Sequence, residues 1–194
     1  MNFIKQYLIE AKNIIDALDL IEISKIVKHI NIVKKNKGRI FFIGVGGSAA
    51  NSSHAVNDFR KLAGIECYTP ADNISELTAR TNDEGWHTVF KSWLVVSKLS
   101  KKDLVFVFSV GGGNKEKNVS TNIIEALKFA KLKKAKICGI VGKNGGYTYE
   151  VADSCLRIPV KNMKHLTPHS EAFQAVIWHL LVSHPDIKKY KTKW

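Results

Sequence analysis

Residues Arg39–Lys61 have the sequence RIFFIGVGGSAANSSHAVNDFRK, and much of the fold can be predicted outward from them. The apolar run Ile40–Val45 predicts a buried β-strand. Gly46 and Gly47 predict a tight turn, and Ser48 stands where a helix of small residues begins. This order brings unpaired backbone N–H groups and the positive end of the helix dipole together, which is typical of an anion-binding site.

The predicted helix carries two side chains with useful chemistry. His54 and Asp58 are four positions apart, so they project from the same helix face. An imidazole and a carboxylate beside an anion-binding turn indicate chemistry on a small phosphorylated molecule.

The size and composition predict one globular domain. The chain has 194 residues, of which 45% are hydrophobic, and this allows a sizeable core. We expect a single domain over residues 1–194, with a helical hairpin at 1–36 and an α/β core at 37–194. No apolar run approaches the ~20 residues of a membrane-spanning helix, and the charged N-terminus is unlike a secretory signal, so no membrane partner is predicted.

The net charge and the cysteines indicate which binding partners and which cellular compartment to expect. The net charge of +13 comes from lysines scattered over predicted helix faces and turns, without a recognisable DNA-binding motif. This predicts a solvated lysine-rich surface and makes a nucleic-acid partner unlikely. Cys67, Cys138 and Cys155 lack metal-site spacing, which predicts buried free thiols in a reducing cytoplasm.

Strand and helix patterns alternate along the chain, which predicts a parallel α/β sheet. Strands are expected at 40–45, 66–68, 104–109, 136–141 and 154–158. Helices are expected at 2–18, 21–36, 49–63, 73–81, 85–99, 118–132, 146–151 and 168–184. The N-terminal helical pair has many apolar positions, which fit either an oligomer interface or packing onto its own domain.

A second glycine loop follows the third predicted strand. Ser109–Asn114 has the sequence SVGGGN, and a helix is expected to begin near Asn118–Ser120. Ligands of open parallel sheets bind beyond the carboxyl ends of the strands. We therefore expect this loop to bind phosphate, with Ser109 and Ser120 adding hydroxyl groups.

Two further segments offer candidate site residues. Asn82 and Asp83 fit either a turn or helix cap, or contacts to sugar hydroxyls. The last predicted helix carries Glu171 and His179, and a lone histidine there more often occupies a hydrogen-bonded core position than a ligand position. If that helix meets the first one, His54, Asp58, Glu171 and His179 form a plausible ligand set for a divalent metal such as zinc.

The segments VGGSAANSSH, TARTNDEGW and FSVGGGN and the helix from Glu171 to His179 together resemble the SIS (sugar isomerase) proteins, and within them the phosphoheptose isomerases. The resemblance implies an α/β fold, an SIS-type three-layer sandwich with a central five-stranded parallel sheet after the N-terminal helical pair. It also implies aldose–ketose isomerisation of sedoheptulose 7-phosphate to D-glycero-D-manno-heptose 7-phosphate, in a cytoplasmic homotetramer with shared sites and one zinc ion per site.

The resemblance assigns roles to individual residues. The metal ligands are expected to be His54, Asp58, Glu171 and His179, with Asp58, His179 and Glu171 as catalytic groups. Substrate and phosphate binding are expected at Val45, Gly46, Gly47, Ser48, Asn82, Asp83, Ser109, Val110, Gly111 and Ser120.

The chain departs from the family pattern at several of these positions. Val45 replaces an asparagine, and only Ser109 remains of a Ser-Thr-Ser phosphate loop. Asp58 replaces a glutamate, and Glu171 replaces a glutamine. We interpret the last two changes as a more anionic metal site in which Asp58 or Glu171 moves the proton.

Two other functions remain to be tested against this interpretation. One is a different sugar-phosphate isomerase on the same fold. The other is a non-catalytic SIS module that binds a sugar phosphate or a protein partner. The retained histidines and carboxylates favour an enzyme.

Overall fold

The structure is a computed structural model that describes residues 2–192, so residues 1 and 193–194 of the predicted domain lie outside the described residues. Its centre is a parallel five-stranded sheet in the order β2-β1-β3-β4-β5. The strands are β1 Ile40–Ile43, β2 Cys67–Tyr68, β3 Leu104–Ser109, β4 Lys136–Val141 and β5 Ser154–Arg157. The prediction of a five-stranded parallel sheet is confirmed.

Eight α-helices are described around this sheet. They are α1 Phe3–Asp16, α2 Leu20–Lys35, α3 Gly47–Asp58, α4 Ile74–Glu84, α5 Val89–Val96, α6 Thr121–Leu132, α7 Gly146–Val151 and α8 Leu166–Ser183. A π-helical turn, Phe59–Ala63, continues α3, and short 3₁₀ turns lie at Pro70–Asp72 and Met163–His165. None of the helices within residues 2–192 has the length and apolar character that a bilayer crossing requires.

The strands are buried because helices cover both faces of the sheet. Every residue of β1 and β3 is buried, as expected for continuous apolar runs in a parallel sheet. Phe42, Phe106 and Phe108 face the core shared with α2, α3 and α8. Phe41 and Val107 face the opposite core, shared with α5 and α6. These layers confirm the predicted three-layer sandwich.

Several helix boundaries differ from the predictions. α5 is shorter than the expected 85–99, because Gly85 has a φ of 83° and ends α4. α6 begins at Thr121, since Asn114 and Val119 pair as an antiparallel bridge and keep residues 114–119 in a closed loop. α8 begins at Leu166, with Pro168 inside its first turn, where a missing N–H is tolerated.

The two N-terminal helices differ in how they pack. α2 buries Ile23, Ile26, Val27, Ile30 and Val33 in the core. α1 buries only Ile14, and Phe3, Ile4 and Leu8 remain exposed. Packing onto the same domain therefore explains α2, whereas most of the apolar surface of α1 has no cover in the described chain.

Candidate active site

The site lies where the order of the strands reverses. β1 pairs with β2 on one side and with β3 on the other, so the connections after β1 and β3 leave the sheet next to each other. In open parallel sheets this switch point, beyond the carboxyl ends of the strands, is where ligands bind. It holds both glycine loops predicted from the sequence.

The first glycine turn is shaped by close backbone approaches. Gly46 has φ 64° and ψ −130°, a conformation that favours glycine, and it precedes the first residue of α3. At Gly44 a Cβ atom would lie 2.5 Å from the carbonyl oxygen of Ser48, so only glycine allows the strand end to approach the helix start this closely. Ser48 is buried, and its hydroxyl has no hydrogen-bond partner among the described atoms. Val45 is half-buried and packs against the core on the α5 and α6 side.

Three of the four predicted metal ligands come together further along α3, where it faces α8. His54 and Asp58 project from α3, and His179 projects from the facing helix α8. One ligand atom from each side chain lies within 4.8 Å of the other two. The Nε2 atoms of both histidines are 3.9 Å from Asp58 Oδ2. Two imidazole nitrogens and a carboxylate oxygen are a donor set that suits zinc.

The orientation of these side chains suits a ligand. His179 Nδ1 lies 2.7 Å from the carbonyl oxygen of Ala175, so Nδ1 carries the proton and donates it, which leaves the lone pair on Nε2 towards Asp58. The Asp58 side chain is 16% exposed, whereas those of His54 and His179 are 59% and 52% exposed. The carboxylate is thus fixed at the base of the group and the imidazoles form its open rim.

Glu171, the fourth predicted ligand, lies elsewhere. Its carboxylate lies against the backbone at the start of α3, where a Cβ atom on Gly47 would be 2.5 Å from Glu171 Oε2. It is not a member of the group formed by His54, Asp58 and His179. Glu171 and His179 are eight residues apart on one α-helix, which separates their backbones by about 12 Å along the helix axis. Their side chains would have to span that distance to bind the same ion. Within the described chain, the structure therefore does not bring all four predicted ligands together.

Sequence reasoning missed three side chains around this site. Asn51 on α3 donates to Gln174 Oε1 and to the Glu171 carbonyl oxygen, both at 3.0 Å, and so joins the two helices. Trp178 is buried, and its ring centroid lies 3.4 Å from that of His179 and 4.7 Å from that of His54. Their only signal in the sequence is their spacing on the two helices, which depends on knowing that α3 and α8 face each other.

The second glycine loop is tightly packed. Ser109 Oγ accepts a hydrogen bond from the Gly112 N–H at 3.0 Å. Thr148 on α7 donates from its hydroxyl to the Gly112 carbonyl at 2.7 Å. A Cβ atom on Gly112 would lie 1.8 Å from the carbonyl oxygen of Gly145, whereas one on Gly111 would meet nothing within 4 Å. Gly112 therefore allows the loop to pack closely against the start of α7. Of the two positions, only Gly111 has free space around its Cβ position.

The remaining predicted substrate-binding residues, Ser120, Val110, Asn82 and Asp83, occupy separate places. Ser120 has φ 52° and directly precedes α6 without a side-chain capping bond. Val110 is half-buried, and its carbonyl accepts from the Gly142 N–H. Asn82 and Asp83 are exposed in the last turn of α4, where the Asn82 amide donates to Asp83 Oδ1 at 2.8 Å. α4 buries no residue, so this pair faces solvent in the described chain.

Comparison with solved structures identifies the fold of the chain. No family model matches the chain. A solved phosphoheptose isomerase, GmhA from Neisseria gonorrhoeae, superposes with a TM-score of 0.80 over 92% of this chain and 95% of that one, at 20% sequence identity. The fold is that of the SIS, or sugar isomerase, domains, as predicted.

Sequence comparisons identify the family within that fold. The chain is 30% identical to the phosphoheptose isomerase of Aliarcobacter butzleri over 188 residues, which cover 92% of this chain and 94% of that protein. It is also 30% identical to the phosphoheptose isomerase of Rhodospirillum rubrum over 149 residues, or 74% and 73% of the two chains. The chain therefore belongs to the phosphoheptose isomerase family, and the prediction of an isomerase is confirmed.

Proposed function

We propose that this isomerase converts sedoheptulose 7-phosphate to D-glycero-D-manno-heptose 7-phosphate through an enediol. The observation that carries the proposal is the group formed by His54, Asp58 and His179, where α3, the helix that leaves the switch point of the sheet, faces α8. In a member of this family, that group offers a base, an acid and ligand atoms on the helix that begins where such folds bind their ligands.

The chemistry requires a proton to move between two neighbouring carbons. One group removes the proton next to the carbonyl, and a second group returns a proton to the adjacent carbon. We assign removal to Asp58, whose carboxylate is fixed between the two imidazoles. We assign proton transfer at the substrate oxygens to His179, since its Nδ1 bond to Ala175 leaves a lone pair on Nε2 and half of its side chain is exposed.

His54, Asp58 and His179 fit a zinc ion, because their donor atoms converge and one imidazole is already in the tautomer that a ligand needs. A bound zinc ion would polarise the substrate carbonyl and stabilise negative charge on its oxygen. Glu171 stands apart from these three, so we propose it as an alternative base or a fourth ligand only where the substrate or a second copy of the chain closes the distance.

Phosphate binding is proposed at the second loop. The open side at Gly111, the Ser120 hydroxyl and the N-terminus of α6 face the same connection after β3. Backbone N–H groups and a helix N-terminus favour a phosphate there. The buried, unpartnered hydroxyl of Ser48 is proposed to bind the sugar near the first turn, and Asn82 and Asp83 to bind sugar hydroxyls when α4 is covered.

Conversion of sedoheptulose 7-phosphate, followed by NMR of the product, tests the activity. We expect conversion by the wild-type protein, a large loss after treatment with a chelator, and recovery on adding zinc. The Asp58→Asn variant should lose turnover by ~10²–10⁴-fold, because it removes the proposed base. Failure of the wild-type protein to convert the substrate in the presence of zinc would instead favour a non-catalytic binding module.

The metal content of two variants tests the ligand assignment. Asp58→Asn should lower the zinc bound per chain, because Asp58 belongs to the convergent group. Glu171→Gln should lower it less, because Glu171 lies against Gly47. Equal losses in both variants would contradict the three-ligand assignment and support a four-ligand site.

We also propose a homotetramer in a reducing cytoplasm. The exposed Phe3, Ile4 and Leu8 of α1 and the half-exposed rim of the site leave surface for neighbouring subunits. Light scattering of the purified protein should give the mass of four chains, and a monomer would refute the assembly. All three cysteines are free and buried, and burial raises the pKa of Cys155 to about 12, as befits inert thiols.

A further inference from the structure

A second cluster of ligand-type side chains lies away from the candidate active site. Glu10 projects from α1, His165 precedes α8, and His169 lies in the first turns of α8. Their ligand atoms lie within 4.8 Å of one another. Glu10 Oε2 is 2.7 Å from His165 Nδ1 and 3.1 Å from His169 Nε2. The proposed isomerase activity uses none of these residues.

Neighbouring side chains hold the residues of this cluster in place. His169 is 1% exposed, and the ring of Tyr7 stacks on it at a centroid distance of 4.3 Å. The ring of Phe3 packs edge-on against His165 at 5.6 Å. Asn162 donates to Glu10 Oε1 at 2.9 Å, which orients the carboxylate and directs its other oxygen to the two imidazoles. Supporting bonds of this kind commonly fix the ligands of metal sites.

The distances are close to those of a coordinated ion. Zinc bonds of 2.0–2.2 Å in a tetrahedron separate neighbouring ligand atoms by about 3.3 Å. The two measured separations from Glu10 Oε2 are slightly shorter, so shifts of under about 1 Å would admit the ion. Two imidazole nitrogens and one carboxylate oxygen also leave a fourth position for water.

The position of the cluster suggests what an ion would do. Within one chain, α1 buries only Ile14, near its C-terminal end, so apolar contacts inside the chain hold the first part of this helix weakly. Glu10, Tyr7 and Phe3 connect that part to the start of α8. An ion shared by α1 and α8 would replace the missing apolar contacts, because the free energy of metal binding adds directly to the stability of the folded form.

We propose that Glu10, His165 and His169 form a second divalent-metal site, of the zinc type, which fastens α1 to the beginning of α8. The alternative is a hydrogen-bonded cluster in which both imidazoles donate to Glu10 and no ion binds. The two differ in a measurable way, since only the first gives zinc-dependent stability of α1.

Metal titration in a variant without the active-site ligands isolates this site. In His54→Gln/His179→Gln, zinc titrated calorimetrically should bind with one equivalent per chain, and cobalt should give the visible absorption of a tetrahedral site. Adding Glu10→Gln or, separately, His165→Gln should abolish that equivalent. Adding His184→Gln, a histidine outside both clusters, should leave it unchanged. Absence of binding in the parent variant, or binding that survives both added substitutions, would overturn the proposal.

Stability of α1 gives an independent readout that does not depend on isomerase activity. In the His54→Gln/His179→Gln background, free zinc at one hundred times its dissociation constant should raise the Tm by about 5–10 °C. Trypsin should cut at Lys5 and Lys12 on α1 about tenfold more slowly with zinc than with a chelator. Glu10→Gln should remove both effects while circular dichroism confirms that the variant is folded. Zinc effects of equal size in Glu10→Gln would show that the ion acts elsewhere and refute the proposal.

Discussion

Buried polar groups near the two ends of the sheet differ in their hydrogen bonding. At the amino end, Asp103 accepts bonds from the Arg39 N–H and guanidinium and from the N–H and hydroxyl of Ser100. At the carboxyl end, the buried Ser48 hydroxyl and Gln174 Nε2 have no partner among the described atoms. Because an unsatisfied buried group costs stability, the amino end is organised for the fold and the carboxyl end for a ligand.

The same contrast holds for neighbouring strands. Asp153, at the amino end of β5, pairs with Lys136 at 2.6 Å and accepts the N–H of Ile137 at 2.9 Å. Thr69, just after β2, is buried with an unpartnered hydroxyl. His29 is an exception, because its buried Nδ1 lacks a partner although Asp153 and Lys136 are its charged neighbours. The predictions below test this division, beginning with the largest effect.

His179→Gln should separate activity from stability at the carboxyl end. We expect turnover to fall by ~10²–10⁴-fold, because the substitution removes the proposed proton-transfer group. In metal-free protein the free energy of unfolding should change by less than about 1 kcal/mol, since the side chain is half-exposed and loses one hydrogen bond. Product formation and urea unfolding measure the two quantities. His184→Gln is the matched control and should alter neither, and a large loss of stability in His179→Gln would break the comparison.

Gly112→Ala should destabilise the fold, because Gly112 lies in the tightly packed part of the second glycine loop. Gly112 has a φ of 69°, and a Cβ atom there would lie 1.8 Å from the carbonyl oxygen of Gly145. We expect destabilisation of about 3–5 kcal/mol by urea unfolding. Gly111→Ala, where a Cβ meets nothing within 4 Å, should cost less than about 1 kcal/mol. Similar costs for the two variants would mean that the loop does not need its close approach to α7.

Asp103→Asn should lower the stability of the fold and leave turnover nearly unchanged. The side chain is buried and bonded to Arg39 and Ser100, so its replacement should destabilise the fold by about 2–4 kcal/mol. Turnover below the melting temperature should stay within about twofold. The exposed Asp186→Asn is the control for removing a carboxylate. A turnover loss as large as that of His179→Gln would contradict the division between the ends.

The contribution of Asp103 should also depend on pH in one direction. Burial opposes its ionisation, but the hydrogen bonds from Arg39 and Ser100 outweigh this and lower the pKa of Asp103 below its ordinary value of 3.8. The unfolded chain therefore binds the proton first, and the stability gained from Asp103 is complete well above pH 3.8. It is lost as the pH falls through the lowered pKa. The gap between wild type and Asp103→Asn should shrink on acidification, and a gap that widens would reverse the assignment.

Lys136→Met should give the smallest effect. Its ion pair with Asp153 is half-exposed, and such pairs contribute about 0.2–1 kcal/mol. The difference from wild type in urea unfolding should nearly vanish in ~1 M salt, because screening weakens an exposed pair. A larger loss that persists in salt would show that Asp153, like Asp103, depends on its partner for burial.

Sequence reasoning succeeded where the pattern is local. The apolar runs of β1 and β3 identify buried strands, and the four-residue spacing of His54 and Asp58 places them together. For Glu171, angular position alone ignores the rise along a helix, and this rise takes its carboxylate to Gly47, so its place in the site stays a prediction. Contacts between distant segments, such as Glu10 with His165, leave no periodic signal and need the structure.

The carboxylate of Glu171 over Gly47 has a consequence for how the site distributes charge. The start of α3 is the place where a free anion would be attracted, and the chain already supplies one of its own there. A second anion entering that turn would meet a like charge, whereas Gly111, in the connection after β3, has nothing within 4 Å of its Cβ position. We therefore expect Glu171 to repel the phosphorylated end of a substrate from the start of α3, so that in the proposed binding mode the uncharged end of the sugar lies beside His54, Asp58 and His179.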